Sequence, residues 1–173
     1  MKNKTPPTNH EIKLREGTSI VSKTNSKGKI TYANRIFMEI SGYRESELLG
    51  VQHNILRHPD MPRGVYKLLW DTIATGEECF AYVKNLCKNG DYYWVLANIT
   101  PDYDPQRNIT GYFSVRRRPR QEAVNSVIPV YREMLAIEQR TGPKNACAAS
   151  LEYLNNLIRE AGHAGYQTFI LGI

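Results

Sequence analysis

The chain has 173 residues, 41% of them hydrophobic and 23% charged, which is the mix of one globular domain with an appendage and not of a disordered or fibrous protein. Its net charge is +6, concentrated in the polar start and in Arg116-Arg117-Arg118-Pro119-Arg120; no helix-turn-helix, zinc-finger or aromatic RNA-binding signature accompanies it, so nucleic acid is not an expected partner. No apolar run approaches the ~20 residues that span a bilayer, and the start lacks the apolar stretch of a signal peptide, so a cytoplasmic protein is expected.

Residues 1–17 read as a polar cap, with a short helix around Asn9–Arg15. Ser19–Thr24 and Lys29–Tyr32 flank the turn Asn25-Ser26-Lys27-Gly28 and predict a β-hairpin. Asn34 is placed to cap a short helix whose Ile36, Phe37 and Ile40 share one side, ended by Ser41-Gly42-Tyr43. Another helical turn covers 44–49 and stops at Gly50. Residues 51–63 are rich in polar, cyclic and proline residues and show no period. Val65–Thr75 predicts a helix with Val65, Leu68, Leu69 and Ile73 on one stripe and Gly76 at its end. Cys79–Cys87 and Tyr92–Thr100 form two strands about Asn89-Gly90, and Ile109–Arg117 forms a third. The cysteines, Cys79, Cys87 and Cys147, have no CxxC spacing and read as reduced apolar fillers.

Strand–helix–strand alternation does not repeat, so the fold class is α+β, a five-stranded antiparallel sheet with short helices on one face. The tail, 119–173, carries two amphipathic stripes. Val124, Val127, Ile128, Tyr131, Met134 and Leu135 form the first, interrupted at Pro129. Leu151, Leu154, Leu157, Ile158 and Ala161 form the second, beyond the break at Thr141-Gly142-Pro143. Such helices cover their own domain or pair with a second copy, and a homodimer is expected. Removing the tail is expected to leave the sensor region intact and abolish association. The polar faces lack the lysine-rich side and Trp anchors of a membrane-surface helix.

Ile30-Thr31-Tyr32-Ala33-Asn34, Phe37, Ser41-Gly42-Tyr43, Glu47-Leu48-Leu49-Gly50, Lys88-Asn89-Gly90, Trp94-Val95 and Gly111-Tyr112 follow one another in order. On these pieces residues 18–118 resemble a PAS domain, an antiparallel sensory fold with a ligand cleft between its sheet and its short helices. The run His53-Asn54-Ile55-Leu56-Arg57-His58-Pro59-Asp60-Met61-Pro62, with Trp70, Val83-Lys84-Asn85, Asp91–Val95 and Ala97-Asn98, is similar to the FAD-binding PAS domain of the bacterial aerotaxis-receptor type. That resemblance implies FAD held without a covalent bond and a redox or oxygen sensor that is not an enzyme. It implies relay to a membrane-bound chemotaxis transducer or a histidine kinase pathway. It also implies flavin contacts from Arg57, His58, Asp60, Trp70, Asn85, Tyr93 and Asn98. Receptors of that type continue into a membrane anchor, whereas this chain stops at Ile173, so it reads as a stand-alone sensor or an excised part of a receptor.

FAD asks a protein to bury an apolar ring and to satisfy an anionic pyrophosphate. Arg57 is a fixed, multidentate phosphate donor, and His53 and His58 add donors on a loop stiffened by Pro59 and Pro62. The same loop also reads as a surface turn closed by an Arg57–Asp60 ion pair. Asn85 and Asn98 stand in strands, where Asn is disfavoured; an amide there can meet both the donor and the acceptor of the ring edge, or face solvent. Asn85 lies five residues before Gly90, the spacing of light-sensing flavin PAS domains. Trp70 and one of Tyr93 and Trp94 can wall an aromatic ring or simply pack the core. Arg116 falls in the last strand, at a place that meets the reactive flavin edge in light-sensing relatives, or lies on a solvated basic edge. Those relatives keep a cysteine where this chain has His53-Asn54-Ile55, so cysteinyl–flavin photochemistry is not expected. Two other functions fit a PAS fold: a haem-binding gas sensor ligated by His53 or His58, and a ligand-free dimerisation module.

Overall fold

The computed structural model describes residues 5–173. Five strands, β1 (Ile20–Asn25), β2 (Ile30–Ala33), β3 (Cys79–Leu86), β4 (Tyr92–Tyr103) and β5 (Ile109–Arg117), form one antiparallel sheet in the order β2-β1-β5-β4-β3. The sheet is the one expected, and β4 runs three residues further, through Pro101. Beyond Ile99, which pairs with Cys79, β4 has only β5 as neighbour, and a strand proline is tolerated where no ladder bond is lost.

Three helices cover one face: α1 (Arg35–Ser41), α2 (Glu45–Leu48) and α3 (Arg63–Ala74). Asn34 caps α1 as its sequence position requires, its side-chain oxygen accepting from the Phe37 amide at 3.0 Å. Phe37, Leu48, Val65 and Ile73 drop from these helices into the core. A 3-10 turn, His53–Leu56, joins α2 to α3 and is tied to the β3 edge by a bridge between Arg57 and Asn85.

The other sheet face is covered at β3 and β4 by the tail. Helix α4 (Gln121–Glu160) folds back on itself at Gly142, whose φ of 74° and ψ of 169° are not helical. The expected break at Thr141-Gly142-Pro143 is therefore present, whereas Pro129 does not break the helix. Pro129 sits on the exposed side, where water can take the carbonyl its missing N–H leaves free. A last helix, α5 (Tyr166–Gly172), went unforeseen because Phe169-Ile170-Leu171 is too short a run to show a period. The tail also covers the open edge of β3: the Tyr131 hydroxyl donates to the Tyr82 carbonyl at 2.8 Å, and the Phe80 amide donates to Gln167 Oε1 at 3.4 Å. The short helix expected at Asn9–Arg15 is absent. This segment is extended, the Ile12 amide donating to the Tyr92 carbonyl at 2.7 Å, since joining the end of β4 satisfies more backbone than an isolated turn could.

Candidate functional site

Strand alternation decides what faces the α1–α3 side. Ser22 and Thr24 of β1, Val83 and Asn85 of β3, Ala97 and Ile99 of β4, and Tyr112, Ser114 and Arg116 of β5 all point there. With Tyr66, Leu69, Trp70 and Ile73 of α3 and with His53 and Arg57, they enclose a cavity of about 480 Å3, within the range of small-molecule and cofactor sites.

Arg116 is the central group. It is 4% exposed, and its guanidinium lies 5.3 Å from the Phe37 ring. One terminal nitrogen, Nη2, donates to Ser22 Oγ at 2.6 Å and to His53 Nε2 at 2.7 Å. Since a guanidinium cannot accept, His53 must present a bare Nε2 and carry its proton on Nδ1. Burial, and then the charge of Arg116, push the His53 pKa down to about 3. Burial alone lowers Arg116 itself to about 10, leaving it a cation at neutral pH. Its other nitrogen, Nη1, is buried without a partner among the described residues, as is Ser114 Oγ two residues before it on the same face. Asn85 is 4% exposed and its side chain makes no hydrogen bond to a described residue. Among the described residues lining the cavity none is acidic, whereas Lys27, Arg57, Lys67 and Arg116 are cationic. Buried donors without acceptors are costly, and a buried cation without a counter-charge more so. The cavity is therefore built for a ligand that brings acceptor atoms and negative charge.

Of the nine residues singled out in the sequence, His53, Arg57, Trp70, Asn85 and Arg116 line this cavity together. Arg57 lies 4.5 Å over the Tyr66 ring and donates to the Met61 carbonyl at 3.3 Å, and no Arg57–Asp60 ion pair forms. Trp70 stands at the mouth, 38% exposed and edge-on to Tyr112 at 5.4 Å. Four lie outside the lining. Asp60 pairs with Lys84 at 2.6 Å on the surface. His58 is buried beside it, its Nδ1 accepting from the Asp60 amide at 3.1 Å. Tyr93 sits opposite Asn85 in the ladder but is wholly buried, its hydroxyl unpartnered among the described residues. Asn98, between the inward Ala97 and Ile99, points to the opposite face and donates to Glu78 at 3.0 Å. Trp94 also takes the opposite face, its ring 6.3 Å from Tyr131. Ser22, Tyr66 and Ser114 were missed. The two serines occupy inward strand positions, and a small polar residue at such a position is the signal that could have found them.

His58 gives this loop a pH response. Burial first, and then Lys84, lower its pKa from 6.5 to about 4. The folded state holds it neutral, so the unfolded chain binds the extra proton below pH 6.5. The His58 contribution is intact above that pH and is lost as the pH falls toward about 4. Urea unfolding of His58→Gln at about pH 7 and about pH 5 should show a smaller acid loss than wild type; an equal loss would mean that His58 does not contribute.

The comparisons agree with this geometry. A family profile described as PAS fold matches residues 30–116. The aerotaxis receptor of Escherichia coli is 40% identical over 129 residues, 75% of this chain and 25% of the receptor. The nitrogen fixation regulatory protein of Klebsiella pneumoniae is 28% identical over 104 residues, 60% of this chain and 21% of its own length. The chain thus spans about a quarter or less of these curated relatives. Among solved structures, the blue-light photoreceptor Aureochrome1 LOV in its dark state has a TM-score of 0.54 at 25% identity, covering 70% of this chain and 85% of that one. A light-oxygen-voltage domain studied with a flavin analogue has a TM-score of 0.56 at 21% identity, covering 64% and 83%, and bears on the fold alone. With a matching profile, a matching sheet and a ligand-sized cavity between sheet and helices, this chain belongs to the PAS family of signal-transduction sensor domains.

Proposed function

We propose that the cavity holds the ring of FAD and that the chain senses redox state or oxygen through it as a non-catalytic module. The observation that carries this reading is the buried pocket whose described lining has no acid and in which Arg116 Nη1 and Ser114 Oγ have no partner among the described residues. A flavin ring supplies carbonyl and ring-nitrogen acceptors along one edge and apolar surface elsewhere. Asn85, Ser114 and Arg116 stand ready for the edge, and Leu69, Ile73, Val83 and Ile99 for the apolar faces. Arg57 and Lys27 put positive charge toward an anionic pyrophosphate, while Lys67 at the same cavity is paired with Asp71 at 2.7 Å. The likeness of residues 53–98 to the aerotaxis-receptor type supports FAD over other flavins.

FAD, when bound, supplies a reversible store of electrons. The chain's own part is to exclude water from the ring and to hold a fixed cation and a reorientable amide against it. Arg116 and Asn85 would hold the polar edge of the ring, the guanidinium favouring negative charge there and the amide free to reorient, and β5, which carries Arg116, leads directly to Pro119 and the tail. The partner we infer is a chemotaxis transducer or a kinase pathway, met by a cytoplasmic homodimer. Among the described residues no helix is long and apolar enough to cross a membrane.

The absorption spectrum of purified chain, incubated with FAD, tests the reading. Flavin bands that survive gel filtration are expected, and chromatography of the released cofactor should identify FAD. A Soret band would replace the proposal with the haem reading; colourless protein that takes up no flavin would leave a dimerisation module. In Arg57→Ala, loss of about 1.5–3 kcal/mol of charge-assisted bonding should weaken FAD by roughly one to two decades.

A further inference from the structure

One carboxylate joins the tail to the helix that walls the cavity. Glu138, in the first arm of α4, is 92% buried by the folded chain, with 8% exposure. Its Oε2 accepts from the Arg63 amide at 3.0 Å and its Oε1 from the Gly64 amide at 2.9 Å. These are two of the amides that the first turn of α3 cannot satisfy from within, and Pro62 at the cap position offers no side chain to help. Ser150, from the second arm, donates to the same Oε1 at 2.9 Å. Gly64 leaves room for this meeting: a Cβ there would run into Ser150 Oγ and press on Met134. The start of α3 and the two arms of α4 therefore close on a single charged group.

Residues 66, 69, 70 and 73 of the same α3 form a wall of the cavity, within three turns of the capped end. Gly142, where the two arms of α4 part, has open space around it and is the one non-helical residue within that helix. We infer that Glu138 is a positioning residue, a clasp that ties the tail hairpin to α3 and so to whatever occupies the cavity. The link to the cavity rests on the flavin reading above; the clasp itself does not. A ligand that favours one setting of α3 must either carry the hairpin with it or break three charge-assisted bonds, and the hairpin can yield by turning at Gly142. By linkage, a change in the clasp alters ligand affinity by the same factor as the ligand alters the clasp.

Hydrogen exchange on the full chain tests the clasp without any ligand. In Glu138→Ala the amides of Arg63 and Gly64 and those of residues 144–160 should exchange faster together, by about tenfold or more. Glu138→Gln keeps an acceptor oxygen without the charge and should fall between; it also serves if the alanine variant does not fold. Faster exchange confined to Arg63 and Gly64, with 144–160 as protected as in wild type, would overturn the clasp. Saturating FAD should then slow exchange across 144–160 in wild type and not in the Glu138 variant at equal flavin occupancy. Equal slowing in both would overturn the coupling. Wild type that takes up no FAD would refute the cavity reading instead, while the ligand-free comparison still decides the clasp.

Discussion

Arg116→Met is expected to make the ligand-free chain more stable and its hold on FAD weaker. The two effects have one cause. Arg116 is a cation buried in a cavity whose described lining contains no carboxylate, and its Nη1 has no partner among the described residues. Replacing such a charge by an apolar side chain of similar volume is often neutral or stabilising, here by up to about 1–4 kcal/mol. The ligand loses a charge-assisted bond worth about 1.5–3 kcal/mol, which is one to two decades in affinity. His53 should respond as well: with the neighbouring cation gone, its pKa rises from about 3, an upward move that its ring protons would report in a pH titration. The neutral polar probe of electron affinity is Arg116→Gln, in which bound FAD should have a lower reduction potential, because a fixed positive charge favours the form with more electrons. Urea midpoints without flavin and flavin titrations separate the terms. A parallel loss of stability and affinity in Arg116→Met would show that the guanidinium only props the fold.

How much of this site could be read from the sequence depends on how far each residue's direction is set locally. Asn34, the hairpin at Asn89-Gly90 and the α3 stripe are fixed by neighbours within a few positions, and all appear as expected. Arg116 and Asn85 were legible through the resemblance to light-sensing flavin PAS domains, which rests on the place of Arg116 in the last strand and on Asn85 lying five residues before Gly90. Asn98 lies five residues from Tyr93, so alternation puts the two on opposite faces and they cannot both meet the cavity; only the assembled sheet settles that Ala97 and Ile99 face inward and Asn98 outward. His58 and Asp60 were read with Arg57 as one loop. The 3-10 turn and the Arg57–Asn85 bridge turn Arg57 inward and leave Asp60 to Lys84. No local pattern joins Glu138 to Arg63, 75 residues apart, so the clasp could not be read from sequence at all.

Removal of residues 121–173 should abolish the cooperative fold and, with it, flavin binding, contrary to what two separable amphipathic stripes suggest. The reason is that the tail and the sheet share a core. Val127, Tyr131 and Met134 are at most 3% exposed, and Met134 reaches the place beside Gly64 at the start of α3. Each large side chain of this kind stabilises by about 1.5–3 kcal/mol, against a total for a domain of about 5–15 kcal/mol. Truncation would also bare Trp94, strip the Tyr131 hydroxyl from the β3 edge and uncap α3 at Arg63 and Gly64. An exposed strand edge beside apolar surface is prone to aggregate. Single changes grade the same effect: Met134→Ala should cost about 2–5 kcal/mol, and Tyr131→Phe about 1 kcal/mol for one lost hydrogen bond. Circular dichroism during urea unfolding measures all three. A chain of residues 1–120 that unfolds at the wild-type midpoint and keeps its flavin would make the tail a separable appendage, and the clasp at Glu138 would then have nothing to transmit.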